Sequence, residues 1–188
     1  MGLLINPPKA HLSFSSLADD PDLDRLFNSP VPAVVVFPVS HAVGMSVIRT
    51  LTGHGMPILA VDFKPTAAGL YSRHAVPLLV PELGRDAGAF ARGMVEIGRR
   101  FREKPVLFLV HDEYLFLSLK RAGEFEKCYR LPLSGWDIVE PIVDKGKLYR
   151  RLQQIGYPVP TSWFPASMAE LVALRAALPF PCIVKPTY

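Results

Sequence analysis

A mostly parallel α/β sheet, doubly wound with helices on both faces, is the fold class this sequence predicts. Three observations carry the prediction. Short runs dense in β-branched residues, such as Ala33-Val34-Val35-Val36-Phe37, lack the alternation of a half-exposed strand and suit strands covered on both sides. Segments with apolar residues at helical spacing alternate with those runs. Gly and Pro punctuate many of the junctions.

The elements follow in order. Residues 1–32 show no sustained periodicity and are framed by Asn6-Pro7-Pro8 and Ser29-Pro30-Val31-Pro32. They read as a surface leader with a short helix over Asp22 to Phe27. The first strand is Ala33 to Phe37, ended by Pro38. Ser40 is placed to cap a helix with Val43, Val47, Ile48 and Leu51 on its apolar face, stopped by Gly53 and Gly55. Ile58 to Asp62 is a second strand. Phe63 to His74 is a connection with at most a short helix, and Val76 to Val80 is a third strand. Asp86 caps a helix carrying Phe90, Met94, Ile97 and Phe101, with Arg99, Arg100 and Arg102 expected in its last turn. Pro105 to Val110 is a fourth strand. A helix opened by His111-Asp112-Glu113 carries Leu115, Leu119 and Ala122 up to Gly123, and Cys128 to Leu133 suits a short edge strand.

The texture then changes, which divides the chain into a leader (1–32), an α/β domain (33–133) and a second unit (134–188). Asp137 to Val143 is a linking segment of helical pattern. Asp144 to Ile155 is a helix with Leu148, Leu152 and Ile155 on one side and Gly156 as its stop. Thr161 to Phe164 reads as a short strand. Ser167-Met168-Ala169-Glu170 has the spacing of a capping box ahead of Leu171, Leu174 and Leu178. Ile183-Val184-Lys185 is a final strand.

Composition sets bounds. The 188 residues suffice for one sizeable core, or for one domain and part of another. A net charge of +4 is too mild to argue for nucleic acid. Cys128 and Cys182 sit among apolar neighbours and read as buried, reduced thiols. Asn6-Pro7-Pro8 interrupts any signal-peptide core, and no apolar run is long enough to span a bilayer. The expected location is cytoplasmic.

Candidate functional residues fall in two groups. The carboxyl ends of the strands bring Ser40, His41, Asp62 and His111-Asp112-Glu113 to one rim, where open sheets of this kind bind ligands. His111-Asp112-Glu113 reads as a helix start with Asp112 as N-cap in preference to a metal site. His41 could face a ligand or solvent, and Arg73 could meet a substrate carboxylate or be a solvated loop arginine. The second group is Lys145, near a helix start, and Lys185, at the end of an apolar strand. A lysine on a half-buried strand is costly unless an anion meets it, and two such cations suit a polyphosphate. Asp62 also stands where a ribose-binding acid would sit. Yet Pro38 to Gly44 holds no G-x-G-x-x-G turn, which sets a nucleotide-binding oxidoreductase domain behind other readings.

Taken together, Val143-Asp144-Lys145, Gly156-Tyr157-Pro158-Val159-Pro160-Thr161 and Pro181-Cys182-Ile183-Val184-Lys185-Pro186 resemble three motifs of the ATP-grasp superfamily: its "DK" element, its G-[IVY]-P-x-P-x turn and its P-x-[IV]-[VA]-K-P strand. The order and the spacing of the motifs are similar as well. Gly44 to Leu51, Gly55 to Asp62 and Leu70 to His74, with Ser72-Arg73 the most distinctive part, resemble the pre-ATP-grasp domain of a carboxylate–amine ligase subgroup.

The resemblance implies a Rossmann-like pre-ATP-grasp domain followed by the start of an ATP-grasp subdomain. It implies ATP phosphates at Lys145 and Lys185, and ligation through an acyl phosphate. It also implies ATP and Mg²⁺ as cofactors of the parent enzyme, with small-molecule carboxylate and amine substrates. Ser40, His41, Arg73 and Asp112 are the candidate substrate contacts, and no residue is assigned as catalytic. The family's Gly-rich loop and metal ligands follow the K-P element, whereas this sequence stops at Thr187-Tyr188. The expectation is an N-terminal ligase fragment, inactive alone, that pairs with the remainder of its ATP-grasp domain or with a second copy. A non-catalytic binding or dimerisation module is the alternative. Neither nucleic acid nor a membrane is expected as a partner.

Overall fold

Four short apolar runs become the strands of one parallel sheet. The computed structural model describes residues 20–82 and 87–186, and the chain divides into two compact units, Met1–Leu133 and Ser134–Tyr188. In the first unit, β1 (Val34–Phe37), β2 (Ile58–Asp62), β3 (Val76–Leu79) and β4 (Val106–Leu109) lie in the order β3-β2-β1-β4, all parallel. Val35 stands between Leu59 and Leu107 in register.

Alternate residues feed two cores. Val35, Phe37, Leu59, Val61, Leu78 and Leu107 pack on one face against α1 (Pro21–Phe27) and α3 (Ala87–Gly98). Val34, Val36, Ile58 and Ala60 pack on the other against α2 (Ala42–Thr52) and the 3-10 turn Ala68–Tyr71. Burial on both faces explains why the strands read as continuous apolar runs. Strand order reverses at β1, because β2 and β3 extend one side of it and β4 the other. The crevice at the carboxyl ends of β1 and β4 is therefore the topological switch point.

Both sheet edges are protected. The Val80 amide donates to the Asp62 carbonyl (3.0 Å), so the two-residue period turns position 77 outward, and Pro77 has no N–H to offer there. On the β4 side the expected strand Cys128 to Leu133 is reduced to one bridge. The Arg130 amide donates to Pro105 O (2.8 Å) and the Leu107 amide donates to Arg130 O (3.1 Å).

Other expectations are corrected by packing. The leader is not a surface segment over residues 20–32: Asp20 caps α1, and Leu23, Leu26 and Phe27 are buried, Phe27 edge-on to Phe101 at 4.9 Å. His41, not Ser40, is the N-cap of α2, because Asp62 holds the Ser40 amide in the preceding loop. The Asp86 cap lies outside the described residues. Helix α3 ends at Gly98, so Arg99, Arg100 and Arg102 follow the helix and are not in its last turn. The Tyr129 ring lies where a side chain at 98 would project. The next helix, α4 (Asp112–Leu119), turns Leu117 and Ser118 inward in place of Leu115 and Leu119. Gly123 does not stop it, because it lies inside α5 (Ala122–Phe125). Cys128 is buried, which pushes its thiol pKa up, whereas Cys182 is exposed; both are free thiols.

The second unit holds α6 (Trp136–Val143), α7 (Lys145–Gln154) and α8 (Met168–Leu174). Its local signals act as written. Asp144 accepts from the Lys147 amide (3.0 Å) to start α7, and Gly156 takes φ +73° just beyond that helix. Ser167 accepts from the Glu170 amide (3.2 Å), while Glu170 accepts from the Ala166 amide (2.8 Å), one residue earlier than an ordinary capping box. Lys147 pairs with Glu140, and the Arg150 guanidinium lies 4.6 Å over the Phe164 ring.

The strands expected at Thr161 to Phe164 and Ile183 to Lys185 do not form. A strand needs a neighbour to receive its amides, and no strand exists among the described residues of this unit. Ile155 and Leu171 are exposed, although the helical pattern assigned them inward, while Leu148, Leu152, Leu174 and Leu178 are half-buried.

Candidate functional site at the switch point

The rim begins with what holds it in place. Asp62 is fully buried at the end of β2, and its two carboxylate oxygens accept the Ser40 amide (2.7 Å) and the Lys64 amide (2.9 Å). One carboxylate thus ties together the loops that leave β1 and β2. Both oxygens already serve backbone donors, so Asp62 is a positioning residue, and this argues against the ribose-binding role weighed for it.

Two glycines let the same loop close. A Cβ at Gly44 would come within 2.9 Å of Pro38 O, and one at Gly69 within 2.3 Å of Val39 Cβ. The Gly69 amide donates to Val39 O (3.1 Å), so the turn after β2 is stitched onto the turn after β1. The Phe37–Pro38 peptide at this corner is cis.

A cavity of about 260 Å³ opens at this point. It is lined by Ser40 and His41 from the β1 loop, Lys64 from the β2 loop, Glu82 after β3, and His111 and Glu113 at the start of α4. Pro38, Phe63 and Tyr114 form its apolar wall. The His41 and His111 rings lie 5.0 Å apart. His111 Nδ1 accepts from the Glu113 amide (3.3 Å), which makes His111 the N-cap of α4 in place of Asp112. Tyr114 is held by Phe37 (4.8 Å between centroids) and Phe90 (5.1 Å), so the wall is continuous with the core. The α2 amino terminus at His41 has no side-chain cap and no acid in its first turn.

Of the residues expected at the rim, Ser40, His41, His111 and Glu113 come together. Asp112 is exposed at the start of α4 and does not line the cavity. Arg73 lies elsewhere, at the amino end of β3, in a different cavity. Lys64 and Glu82 were not singled out from the sequence. The available signal was positional, since both lie within three residues of a strand's carboxyl end. Among the described residues no group of three or more His, Cys, Asp and Glu side chains is placed to hold a metal ion.

Lys145 and Lys185 belong to the second unit. Lys145 is the first residue of α7, directly after its Asp144 cap; both lysines are exposed, and neither side chain has an ion pair among the described residues. The neighbouring Gly146 is buried. Lys185 follows Ile183 and Val184 in exposed chain without regular structure, so it does not stand on a half-buried strand.

No family model matches the chain, and no curated protein matches it. Among solved structures it is similar to the biotin carboxylase domain of a single-chain bacterial carboxylase, with a TM-score of 0.50 and 19% sequence identity. The likeness covers 78% of this chain and 34% of that one, so this chain spans about a third of the solved chain's length. At that identity the likeness carries the fold and not the activity. In fold, then, the chain is an α/β protein with an all-parallel sheet, similar to part of a biotin carboxylase domain, which fits the ATP-grasp fragment that its sequence resembles.

Proposed function

We propose that this chain is the amino-terminal part of an ATP-dependent carboxylate–amine ligase that works through an acyl phosphate. One observation carries the reading. A doubly wound sheet with a polar crevice at its switch point is followed in the chain by a unit whose second helix begins Asp144-Lys145, and the chain is similar in fold to part of a biotin carboxylase domain.

The roles follow from charge. Phosphoryl transfer is chiefly positioning and neutralisation, so Lys145 and Lys185 would act as point cations on the phosphates of ATP. ATP would supply the phosphoryl group that activates the carboxylate. The crevice mixes Lys64 with Glu82 and Glu113 around two histidines, a lining that suits a small ligand carrying both charges, such as an amino acid. Ser40 and His41 would contact it there. The magnesium expected in the parent enzyme finds no ligand set among the described residues, so no step is assigned to it. The chain taken alone would be inactive, and its cellular site would be the cytoplasm.

The test is ADP release in the presence of paired acids and amines. The 188-residue chain is expected to release none. The same chain continued by its native downstream reading frame is expected to release ADP only when both substrates are present. Release by the short chain would overturn the fragment reading, and acid- and amine-independent turnover by the long one would overturn the ligase reading. If the frame closes at Tyr188, the non-catalytic module takes its place.

A further inference from the structure

A second cavity lies at the opposite end of the sheet from the switch point. It measures about 550 Å³, within the range of small-molecule sites. It lies where β2 and β3 begin, beside α1. Its apolar floor is made by Leu26, Met56, Ile58 and Val76. Its polar lining includes Asp22, Arg25, Arg73 and His74.

The guanidinium groups are loosely committed. Arg25 meets Asp22 at 3.4 Å across an exposed pair, and such a pair costs little to open. Arg73 donates through Nε to His74 Nε2 (3.2 Å), which leaves its two terminal nitrogens for another acceptor. The lining sets two guanidinium groups against one carboxylate, that of Asp22, above an apolar floor. Ser29, also in the lining, spends its hydroxyl proton on Val31 O (2.9 Å) and so does not compete.

We propose that this groove binds a small carboxylic acid with an aliphatic body, the carboxylate on Arg25 and Arg73 and the chain over the half-exposed Met56 and Val76. A planar carboxylate matches a guanidinium fork, and the aliphatic part covers apolar surface that is otherwise wet. A carboxylate contact was one of the two readings that the sequence left open for Arg73. The fold places that contact at the amino ends of the strands, apart from the crevice of Ser40 and His41. The site does not depend on the ligase reading.

The test uses the full chain with hexanoate as probe, and hexanol and hexylamine as controls, followed by calorimetry and by amide chemical shifts. Hexanoate is expected to bind with shifts at Met56, Ala75 and Val76, and more weakly as salt rises. The Arg25→Ala/Arg73→Ala double variant is expected to melt as the parent does and to bind hexanoate about tenfold or more weakly, as loss of charge-assisted contacts implies. Absence of hexanoate binding, equal binding by the double variant, or hexanol binding as tight as hexanoate would each overturn the proposal. If the double variant fails to fold, Arg73→Gln replaces it, with the same weakening expected.

Discussion

The two units of this chain obey the same local rules with different results. In both, caps start helices and glycines lie where they end. In residues 20–133 the helices cover a sheet, and Val35, Phe37, Leu59, Phe90 and Met94 lose nearly all their exposure. In residues 134–186 no residue of α6 or α8 is buried, and Ile138, Ile142, Tyr157, Val172, Ile183 and Val184 remain more than half exposed. Local sequence makes a helix in either setting, but burial needs a second layer, and among the described residues only the first unit has a sheet to provide one.

The largest contrast should come from deleting matched side chains. Phe37→Ala removes the residue at the centre of the Phe63, Phe90 and Tyr114 ring contacts, at an expected cost of roughly 3–5 kcal/mol. Ile142→Ala, at a position 54% exposed, should change stability by less than about 0.5 kcal/mol. Both tryptophans, Trp136 and Trp163, lie in the second unit, so their fluorescence follows that unit while far-UV circular dichroism follows both. In a denaturant titration the fluorescence transition should precede the main dichroism transition. Coincident transitions, or equal costs for the two variants, would erase the contrast between the units.

A smaller effect sharpens the comparison within the first unit. Gly69→Ala would place a methyl group 2.3 Å from Val39 Cβ, and overpacking of this kind should cost about 1–3 kcal/mol. Gly156→Ala in the second unit has open space around it, so only its positive φ opposes the change, at about 1 kcal/mol. Thermal melts of the two variants distinguish steric from conformational cost.

Smallest is Tyr129→Phe. Its hydroxyl donates to Met94 O at 2.7 Å in the core, a bond worth about 1 kcal/mol. Burial, and then the neighbouring Cys128, push the Tyr129 phenol well above its usual range. The folded phenol therefore holds its proton after the unfolded one has lost it. The contribution is complete below about pH 10 and declines above it, as the unfolded phenol ionises. The Phe variant lacks that decline, so the deficit between the two should shrink in alkali. A deficit that grows above pH 10 would contradict the assignment.

How much of this could be read from the residues depends on what fixes each feature. Uninterrupted β-branched runs can be satisfied only between two layers, so the sheet and its order of elements were legible. The starts of α2 and α4 were not, because Ser40 and Asp112 are good caps in isolation. A long-range bond from Asp62 and the ring nitrogen of His111 displaced them by one residue. Arg73 stands three residues before β3, and between parallel strands the connection must return to the amino end of the sheet, which sets it apart from the rim of Ser40 and His41. The Ile183-Val184-Lys185 run has every local mark of a strand and lacks only a neighbour. Lys64 and Glu82 carry no motif, and only the arrangement of strand ends brings them to His41.

The paired lysines bear most of the functional reading. The direct measurement is the dissociation constant of ATP for the chain continued by its native downstream frame, beside its Lys145→Ala/Lys185→Ala variant. Two charge-assisted phosphate contacts at roughly 1.5–3 kcal/mol each should make the variant about a hundredfold or more weaker, with its fold retained. Equal affinity in the two proteins, both folded, would mean that these lysines are ordinary surface cations and that the nucleotide, if it binds, is held elsewhere.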